Sequence, residues 1–252
     1  MTAEQRRAEI LNSLNSSAPV SVRDLARTFA TSEVTIRRDL ADMEEMGLLR
    51  RTRGGAVSAQ LRGDEKPFAM RELEYADEKD RIAREAVSLL SSGEALVIDG
   101  GTTTYPVARL LRDLTLTVMP LAANLVEPLT SRPELTVLMP GGLVRRGESS
   151  VIGPLTEHAL AALHFDTFFI GCCGLSVATG ATAYDLQDAA VKHAAIRSAA
   201  RTVALIDSSK FSRTALARVC PIEDIDIVIT DTGAPTDVVD DLRRRGIEVR
   251  VV

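Results

Sequence analysis

The amino-acid sequence predicts an α/β chain in two parts, a small helical module followed by a larger, mostly parallel α/β domain. Before residue 58, short helical patterns follow one another closely. Beyond residue 74, short apolar runs of strand length alternate with helical patterns, which is typical of a parallel sheet covered on both faces. The 252 residues, 45% of them hydrophobic, are enough to bury a sizeable core.

Composition and charge exclude several classes of protein. The formal net charge of −5 argues against a protein that simply coats nucleic acid or an acidic membrane. No stretch has the ~20 apolar residues that a membrane span needs, and the N-terminus, with Glu4 and Glu9, lacks the apolar region of a secretory signal. The three cysteines, two of them adjacent, give no readable disulfide framework. We therefore expect a reduced, cytoplasmic protein that does not bind membranes.

The first 57 residues carry the patterns of three short helices. An apolar stripe of Ile10, Leu11 and Leu14 predicts the first helix. Ser21 and Ser32 are the expected N-caps of the second and third helices, because a serine hydroxyl accepts a hydrogen bond from a backbone N–H of the first turn. The apolar residues of the third helix are expected to face a small core: Val34, Ile36 and Leu40.

A small basic hairpin is predicted after these helices. Residues 48–49 and 56–57 are apolar pairs, and residues 50–55 between them contain arginines and glycines. Two short helices joined by a tight turn and followed by a hairpin are typical of a winged helix-turn-helix. The sequence predicts this module for residues 1–57.

The outward face of the third helix carries groups that suit DNA. This third helix would be the second helix of the helix-turn-helix, which enters a major groove ~12 Å wide. There, arginine contacts guanine or phosphate, and Ser and Thr hydroxyls contact bases or phosphates. On charge alone, an ordinary helical hairpin with a solvated arginine face explains the pattern equally well. The predicted DNA-binding residues are Ser32, Thr35, Arg37 and Arg38 on the helix, with Arg51 and Arg53 on the hairpin.

Residues 58–74 are a mixed polar stretch with Gly63 and Pro67, and the sequence predicts a linker there. The α/β domain is expected at residues 75–252. Its predicted strands lie at residues 95–98, 116–119, 136–139, 167–170, 203–206 and 225–229, with helical patterns such as 107–111 and 189–200 between them.

A turn rich in glycine and threonine follows the first of these strands. The strand runs into Asp99, and Gly101, Thr102, Thr103 and Thr104 lead from it into a helix. Backbone N–H groups and hydroxyls at such a helix start suit an anion, although threonines there are more often simple caps. The turn is neither a Walker loop nor a dinucleotide fingerprint, and the histidines lack metal-ligand spacing. No cofactor or metal is therefore expected.

Further polar groups and glycines follow the other predicted strands. Because ligands of open α/β sheets bind outside the carboxyl ends of the strands, these residues are candidates for the same site. Asp188 and Lys192 are four residues apart and share a helix face with Asp185, which also fits an exposed ion pair. The remaining candidates are Asn124, Gly141, Gly142, Gly171, Asp207 and Lys210.

Both halves of the chain resemble the DeoR family of bacterial regulators of sugar metabolism. In the first half the resemblance runs from residue 6 to 57, with the T-I-R-R-D-L run at residues 35–40 as its most specific part. In the second half it covers residues 99–104, 141–142, 151–154, 189–192 and 207–211. The resemblance implies an effector domain similar in fold to sugar-phosphate isomerases.

The resemblance also implies roles for site residues. The loop at residues 102–104 would hold a phosphate, Lys192 and Lys210 would neutralise it or bind sugar oxygens, and Asp99 and Asp207 would bind hydroxyls. The predicted protein is a repressor of a carbohydrate-metabolism operon. It would bind double-stranded operator DNA as a dimer or tetramer, with an affinity controlled by a phosphorylated sugar.

The chain departs from the family pattern at three positions. Thr182-Ala183 stands where a Thr-Thr pair is frequent, Ala189 where an acidic residue is common, and Ser176 where Asp or another polar residue is frequent. These positions bear on which sugar is selected.

Three other readings of the sequence remain open. A sugar-phosphate isomerase-like enzyme with a fused helical domain would need carboxylates after the strand at 167–170, and residues 171–174 offer none. A DNA-binding protein with a vestigial pocket would ignore every ligand. Cys172 and Cys173 could sense redox state, although adjacent cysteines more often pack as small apolar residues.

Overall fold

The computed structural model describes residues 2–15, 20–45, 49–58, 66–211 and 213–252. The chain divides into two compact units, Met1–Leu73 and Glu74–Val252. The described elements of the first unit are α1 (Ala3–Asn15), β1 (Val20–Ser21), α2 (Val22–Thr28), α3 (Glu33–Glu45), β2 (Leu49–Thr52), β3 (Gly55–Ser58) and α4 (Phe68–Leu73).

The first unit is a winged helix-turn-helix, as predicted. β2 and β3 form the hairpin, and β1 pairs with the other edge of β3. The two predicted N-caps are confirmed: the hydroxyl of Ser21 accepts from the N–H of Asp24, and that of Ser32 from the N–H of Thr35, both at 3.1 Å. These caps fix where α2 and α3 begin.

The core of this unit is small, and one residue predicted for it lies outside. Ile36, Leu40 and Met43 are buried on one face of α3, at spacings of four and three residues. Val34 is 77% exposed, so its predicted place in the core is wrong. At 100° per residue, Val34 lies about 200° around the helix from Ile36, on the outward face.

The stretch at residues 58–74, predicted as a linker, includes regular structure at its described ends. Residues 59–65 lie outside the described residues, but Ser58 ends β3 and Phe68–Leu73 form α4. Met70 of α4 is buried in the core of the first unit. This apolar contact gives the end of the stretch a regular structure that its polar composition does not predict.

The second unit contains the remaining elements. In its described residues these are α5 (Ala76–Val87), β4 (Ala95–Ile98), α6 (Tyr105–Leu110), β5 (Leu116–Pro120), α7 (Val126–Thr130), β6 (Leu135–Val137), β7 (Leu143–Val144), β8 (Val151–Ile152), α8 (Pro154–Ala161), β9 (Phe165–Ile170), β10 (Gly174–Ser176), β11 (Gly180–Ala183), α9 (Leu186–Ser198), β12 (Ala199–Leu205), β13 (Ala217–Cys220), β14 (Ile227–Thr230), α10 (Thr236–Arg244) and β15 (Glu248–Val251).

Its main sheet confirms the predicted parallel α/β architecture. As far as the structure describes the chain, seven strands pair in the order β15-β14-β12-β9-β4-β5-β6, and every neighbouring pair is parallel. The chain builds outward from β4 to β6 and then returns to place β9 on the other side of β4. The boundary between β4 and β9 is therefore the topological switch point, where ligands of such sheets bind.

Both faces of this sheet are covered. Leu96 and Ile98 of β4 pack in one hydrophobic cluster, while Val97 between them packs in another. The antiparallel set β10-β11-β13 and the β7–β8 hairpin were not predicted, because these strands are only two to four residues long. Among the helices of the described residues, none combines the length and the hydrophobicity that a membrane span requires.

Candidate functional site

The outward face of α3 carries an arginine and a valine. Arg38 is exposed, and it has no ion pair within the described residues. Val34 lies one turn before it on the same face. Arg37 is also exposed, but its guanidinium is 3.2 Å from the carboxylate of Glu33. On the helix face that was predicted to bind DNA, Arg38 is thus an exposed arginine that no described residue neutralises.

The other two predicted residues of α3 form its N-cap. The hydroxyls of Ser32 and Thr35 are 2.8 Å apart, and the Thr35 N–H donates to the Ser32 hydroxyl. Both residues lie at the start of the helix, where recognition helices contact bases. Capping already uses part of their hydrogen-bonding capacity.

The hairpin presents its two predicted arginines to solvent. The N–H of Arg51 donates to Glu44 of α3 at 2.8 Å, and its guanidinium lies 3.9 Å from the same carboxylate. Arg53, in the turn, is exposed and forms no ion pair with any residue that the structure describes. The contact between Arg51 and Glu44 ties the hairpin to α3.

Asp39 is a residue that the sequence analysis missed. It is 3% exposed, and its two carboxylate oxygens accept from Arg6 Nε at 2.6 Å and from Arg7 Nε at 3.3 Å. The hydrogen bond that Arg6 donates to Asp39 raises the pKa of the Arg6 guanidinium. Asp39 therefore fixes α3 against α1, a role that its place in a run of charged residues does not reveal.

In the second unit, Asp99 joins β4 to β9 at the switch point. It is 2% exposed, and its carboxylate accepts from the N–H of Gly100 at 2.8 Å and of Gly171 at 2.9 Å. A side chain at Gly171 would place its Cβ 3.3 Å from the Asp99 carboxylate and 3.7 Å from the Cα of Gly101. The two loops approach each other closely at these glycines.

Lys192 is held between two carboxylates at the same place. Its ammonium is 3.0 Å from Asp99 and 3.1 Å from Asp188, and it donates to the carbonyl of Gly171 at 3.0 Å. Burial alone lowers the pKa of Lys192, but Asp188 and Asp99 outweigh it and raise this pKa well above its ordinary value. Burial raises the pKa of Asp99, with Lys192 opposing the change. Lys192 is therefore a charged, internally neutralised group.

The three threonines of the loop differ in their hydrogen bonds. Thr104 is fully buried, and its hydroxyl donates to the carbonyl of Asp99 at 2.7 Å and lies 2.8 Å from that of Gly101. Thr102 and Thr103 are also buried, yet their hydroxyls have no hydrogen-bond partner among the described residues. Thr104 shapes the loop, whereas the other two hydroxyls are free to bind a ligand.

A second lysine follows β12, the neighbour of β9. Lys210 is 6% exposed, and its ammonium has no ion-pair partner in the described part of the chain. It ends a short 3₁₀ turn, Ser208–Lys210, in which Asp207 accepts from the N–H of Ser209 at 3.2 Å. Asp231, which the sequence analysis missed, accepts from the N–H of Ser208 at 2.6 Å. The turn holds Lys210 in place without neutralising it.

Two buried side-chain oxygens lie near the end of β5. The oxygen of Asn124, a predicted site residue, and the hydroxyl of Ser150, which was not predicted, have no hydrogen bond to any residue that the structure describes. Their segments meet through a bridge between Ala122 and Ser150. Unpartnered buried polar atoms are rare in folded proteins, so both are candidates for ligand contacts.

Gly141 and Gly142 lie on a different turn. The carbonyl of Gly141 accepts from the Thr156 hydroxyl at 2.8 Å, and a Cβ at Gly142 would lie 2.2 Å from that hydroxyl. These glycines pack against α8. Among the described residues, no hydrogen bond joins these glycines to Asp99, Asp188 or Lys192.

Cys172 is buried beside this cluster. Burial raises the pKa of its thiol to about 12, with opposing contributions from Lys192 and Lys210. Burial likewise raises the pKa of Cys220 to about 11. Thiols with such pKa values are protonated and poor nucleophiles at neutral pH, which disfavours a redox role. In the described residues, no group of three or more His, Cys, Asp or Glu side chains could hold a metal.

Comparison with known proteins identifies both units. Residues 6–61 match the DeoR-like helix-turn-helix domain, and residues 74–232 match the DeoR C-terminal sensor domain. Among solved structures, ribose 5-phosphate isomerase A of Methanocaldococcus jannaschii is similar over 55% of each chain, at 19% identity and a TM-score of 0.42. For eIF2B beta of Chaetomium thermophilum the coverage is 64% of this chain and 52% of that one, at 14% identity and a TM-score of 0.43.

Relatives match along nearly the whole chain. The HTH-type transcriptional regulator GlpR of Haloferax volcanii is 31% identical over 99% of this chain and 98% of its own. The transcriptional repressor AccR of Agrobacterium fabrum is 31% identical over 93% of this chain and 92% of its own. The glycerol-3-phosphate regulon repressor of Escherichia coli K12 is 28% identical over the full length of both chains. As the resemblance predicted, this chain belongs to the DeoR family of DNA-binding transcriptional regulators.

Proposed function

We propose that this regulator represses a carbohydrate-metabolism operon and that a phosphorylated sugar, bound between the ends of β4 and β9, controls its affinity for operator DNA. One observation carries the ligand half of the proposal: the hydroxyls of Thr102 and Thr103, which have no partner among the described residues, belong to the loop after β4, and Lys192 contacts Asp99 at the start of that loop, at the switch point of the sheet. The names of several relatives, such as the glycerol-3-phosphate regulon repressor, point to the same class of regulation.

On the DNA side, α3 enters the major groove. Arg38 contacts a base or a phosphate, with Arg37, Ser32 and Thr35 beside it, and Arg51 and Arg53 contact phosphates from the hairpin. Arg38 is exposed and has no partner among the described residues, which supports its leading role, because a guanidinium without a protein partner keeps all its donors for DNA.

On the ligand side, the phosphate binds the free hydroxyls and backbone N–H groups of the 101–104 loop. Lys210 supplies the positive charge, because Lys192 is already neutralised by Asp99 and Asp188. We assign Lys192 to positioning: it holds Gly171 and Asp99 so that the loop is preformed. Asn124 and Ser150, with Asp207, contact sugar hydroxyls, since Ser150 and Asp207 are buried and the buried side-chain oxygens of Asn124 and Ser150 have no partner among the described residues.

Control of operator affinity requires only a modest coupling between the two sites. A coupling of about 1–3 kcal/mol changes affinity roughly 5- to 150-fold. The effector therefore needs to bind one conformation of the protein only somewhat better than another. Such a regulator acts where the chromosome is, so we place it in the cytoplasm.

An isomerase-like activity is the alternative. Residues 171–174 provide no carboxylate, and the Asp99 carboxylate is occupied by Lys192 and two backbone N–H groups, so neither position offers a free general base. Incubation with the phosphorylated sugars that bind should give no product, and sustained turnover would favour the enzyme.

The ligand half is tested by thermal unfolding with a panel of sugars. We expect phosphorylated sugars to raise the Tm in proportion to ln(1 + [L]/Kd), whereas the unphosphorylated sugars do not. The variant Thr102→Val/Thr103→Val should keep the Tm of the free protein and lose the shift, because only free hydroxyls are removed. A variant that is stabilised like the wild type would contradict the assigned site.

A further inference from the structure

The outward face of α3 contains an apolar side chain that the proposed function does not yet use. Val34 is 77% exposed in the first turn of the helix. The core of the unit lies on the opposite face, where Ile36, Leu40 and Met43 are fully buried. Val34 therefore makes no contribution to that core, although valine is usually buried.

The position of Val34 is the position from which a recognition helix contacts bases. It lies one turn before Arg38 on the same face, and N-terminal residues of such helices reach the base edges. The Ser32–Thr35 cap fixes the backbone of the first turn on either side of Val34. A β-branched side chain also has few rotamers in a helix, so its two methyl groups point in a defined direction.

The chemistry of the groove restricts what Val34 can contact. Base edges in the major groove present hydrogen-bond donors and acceptors, and the C5-methyl group of thymine is their apolar feature. We propose that Val34 determines operator specificity by packing against the methyl group of a thymine, next to the base or phosphate that Arg38 contacts. This inference rests on the proposed DNA binding of α3.

The charges of the same turn are compatible with close approach to DNA. Glu33 is the acidic residue next to Val34, and its carboxylate is paired with Arg37 at 3.2 Å. Pairing reduces its repulsion from phosphates. Val34 and Arg38 can then approach the groove together, one as an apolar contact and the other as a charged donor.

The test compares a methyl group removed from DNA with methyl groups removed from the protein. The wild-type protein first selects an operator from a pool of random duplexes. Each thymine of that operator is then replaced by uracil, which lacks only the C5-methyl group. Operator Kd is measured for the wild type and for Val34→Ala, a substitution that favours the helix. Val144→Ala, at a 56% exposed valine of the second unit, is the matched control.

We expect one thymine per half-site whose replacement by uracil weakens wild-type binding about 3- to 10-fold, the scale of one or two lost methyl contacts. Val34→Ala should weaken binding to the natural operator by a similar factor and should not distinguish thymine from uracil at that position. Val144→Ala should behave like the wild type. Val34→Ala should keep or slightly raise the wild-type Tm, because the side chain is exposed and alanine favours the helix.

Two results would overturn the inference, and they are distinguishable. If an operator is selected but Val34→Ala responds to every uracil as the wild type does, the contact with thymine is wrong while DNA binding stands. If the wild type selects no duplex at all, the proposed DNA binding fails and the contact with thymine fails with it.

Discussion

Lys192 and Lys210 are both buried near the switch point, but their environments differ. Lys192 lies within 3.1 Å of two carboxylates, whereas Lys210 has no ionic partner in the parts of the chain that the structure describes. An unneutralised buried cation is costly unless a ligand or solvent compensates it. We therefore assign ligand binding to Lys210 and structural support to Lys192.

The two lysines can be separated by substitution with methionine. Lys192→Met leaves Asp99 and Asp188 buried without their cation, and we expect it to lower the free energy of unfolding by about 3–5 kcal/mol. Lys210→Met should leave stability unchanged or raised and should abolish the Tm shift caused by the phosphorylated sugar. Denaturant unfolding measures the free energy of unfolding, and melting curves with and without the sugar measure the Tm shift. Equal destabilisation by the two substitutions would contradict the distinction.

Cys172 provides a second prediction at this scale. With a pKa of about 12, its thiolate fraction at pH 8 is on the order of one in ten thousand. Alkylation of the native protein at Cys172 should be far slower than in denaturant and should rise with pH toward that pKa. Mass spectrometry of the modified peptide measures the rate. Rapid native labelling at pH 8 would instead support a reactive, redox-active cysteine.

Among the elements, α3 depends on a charged anchor. Asp39 of α3 forms ion pairs with Arg6 and Arg7 of α1. The orientation of α3, the recognition helix, therefore depends on this contact between α1 and α3. Asp42 also pairs with Arg7, but its side chain is 40% exposed, against 5% for Asp39. Exposed pairs contribute little to stability, and buried pairs are costly to break.

Asp39→Asn is therefore expected to weaken operator binding at least tenfold and to lower the Tm, because two arginines lose their shared carboxylate. Asp42→Asn serves as the control and should change both quantities little. Fluorescence anisotropy with labelled operator and thermal unfolding provide the measurements. Unaltered operator affinity in Asp39→Asn would show that this anchor does not orient α3.

The sequence predicted those elements whose signal is local. The six apolar runs became strands of the main sheet, and Ser21 and Ser32 cap the helices that they were expected to cap. The prediction placed Val34 in the core with Ile36, but the two are only two residues apart, and apolar residues share a helix face at spacings of three or four. The short strands β10, β11 and β13 have too few residues for a periodic pattern to emerge.

The candidate site could be predicted only in part, because its contacts join distant residues. The spacing of Asp188 and Lys192 was compatible with an exposed ion pair. Asp99 lies 93 positions before Lys192 in the sequence, and only the fold brings it into contact with this pair. The same holds for Asp39, whose partners lie on another helix, and for Asp231, which supports the turn of Lys210. The sequence indicated which residue types belong to the site. Their contacts with one another follow from the pairing of β4 with β9, which the sequence alone does not reveal.

For the whole molecule, we expect self-association through the second unit. Leu186 and Leu216 are 69% and 79% exposed, and both line a groove of about 770 Å³ beside α9 and β13. Exposed leucines clustered in this way are typical of subunit contacts, and paired recognition modules read paired half-sites of an operator. A second copy of this chain is the partner that these features suit.

Leu216→Glu should shift the protein to a smaller assembly and weaken operator binding, because a carboxylate replaces the apolar contact. Leu143→Glu, at a 66% exposed leucine on β7 outside the lining of that groove, is the control. Sedimentation equilibrium measures the assembly. A wild-type protein that is monomeric at micromolar concentration would refute the assignment.

At the scale of the whole molecule, we expect effector binding to the second unit to change DNA binding by the first. The most direct test is a fluorescence anisotropy titration of labelled operator, with and without a saturating concentration of the phosphorylated sugar that raises the Tm. We predict that the sugar changes the operator Kd of the wild type by about 5- to 150-fold, and that Lys210→Met binds operator normally but no longer responds. An operator Kd that stays constant at saturating sugar would contradict the account.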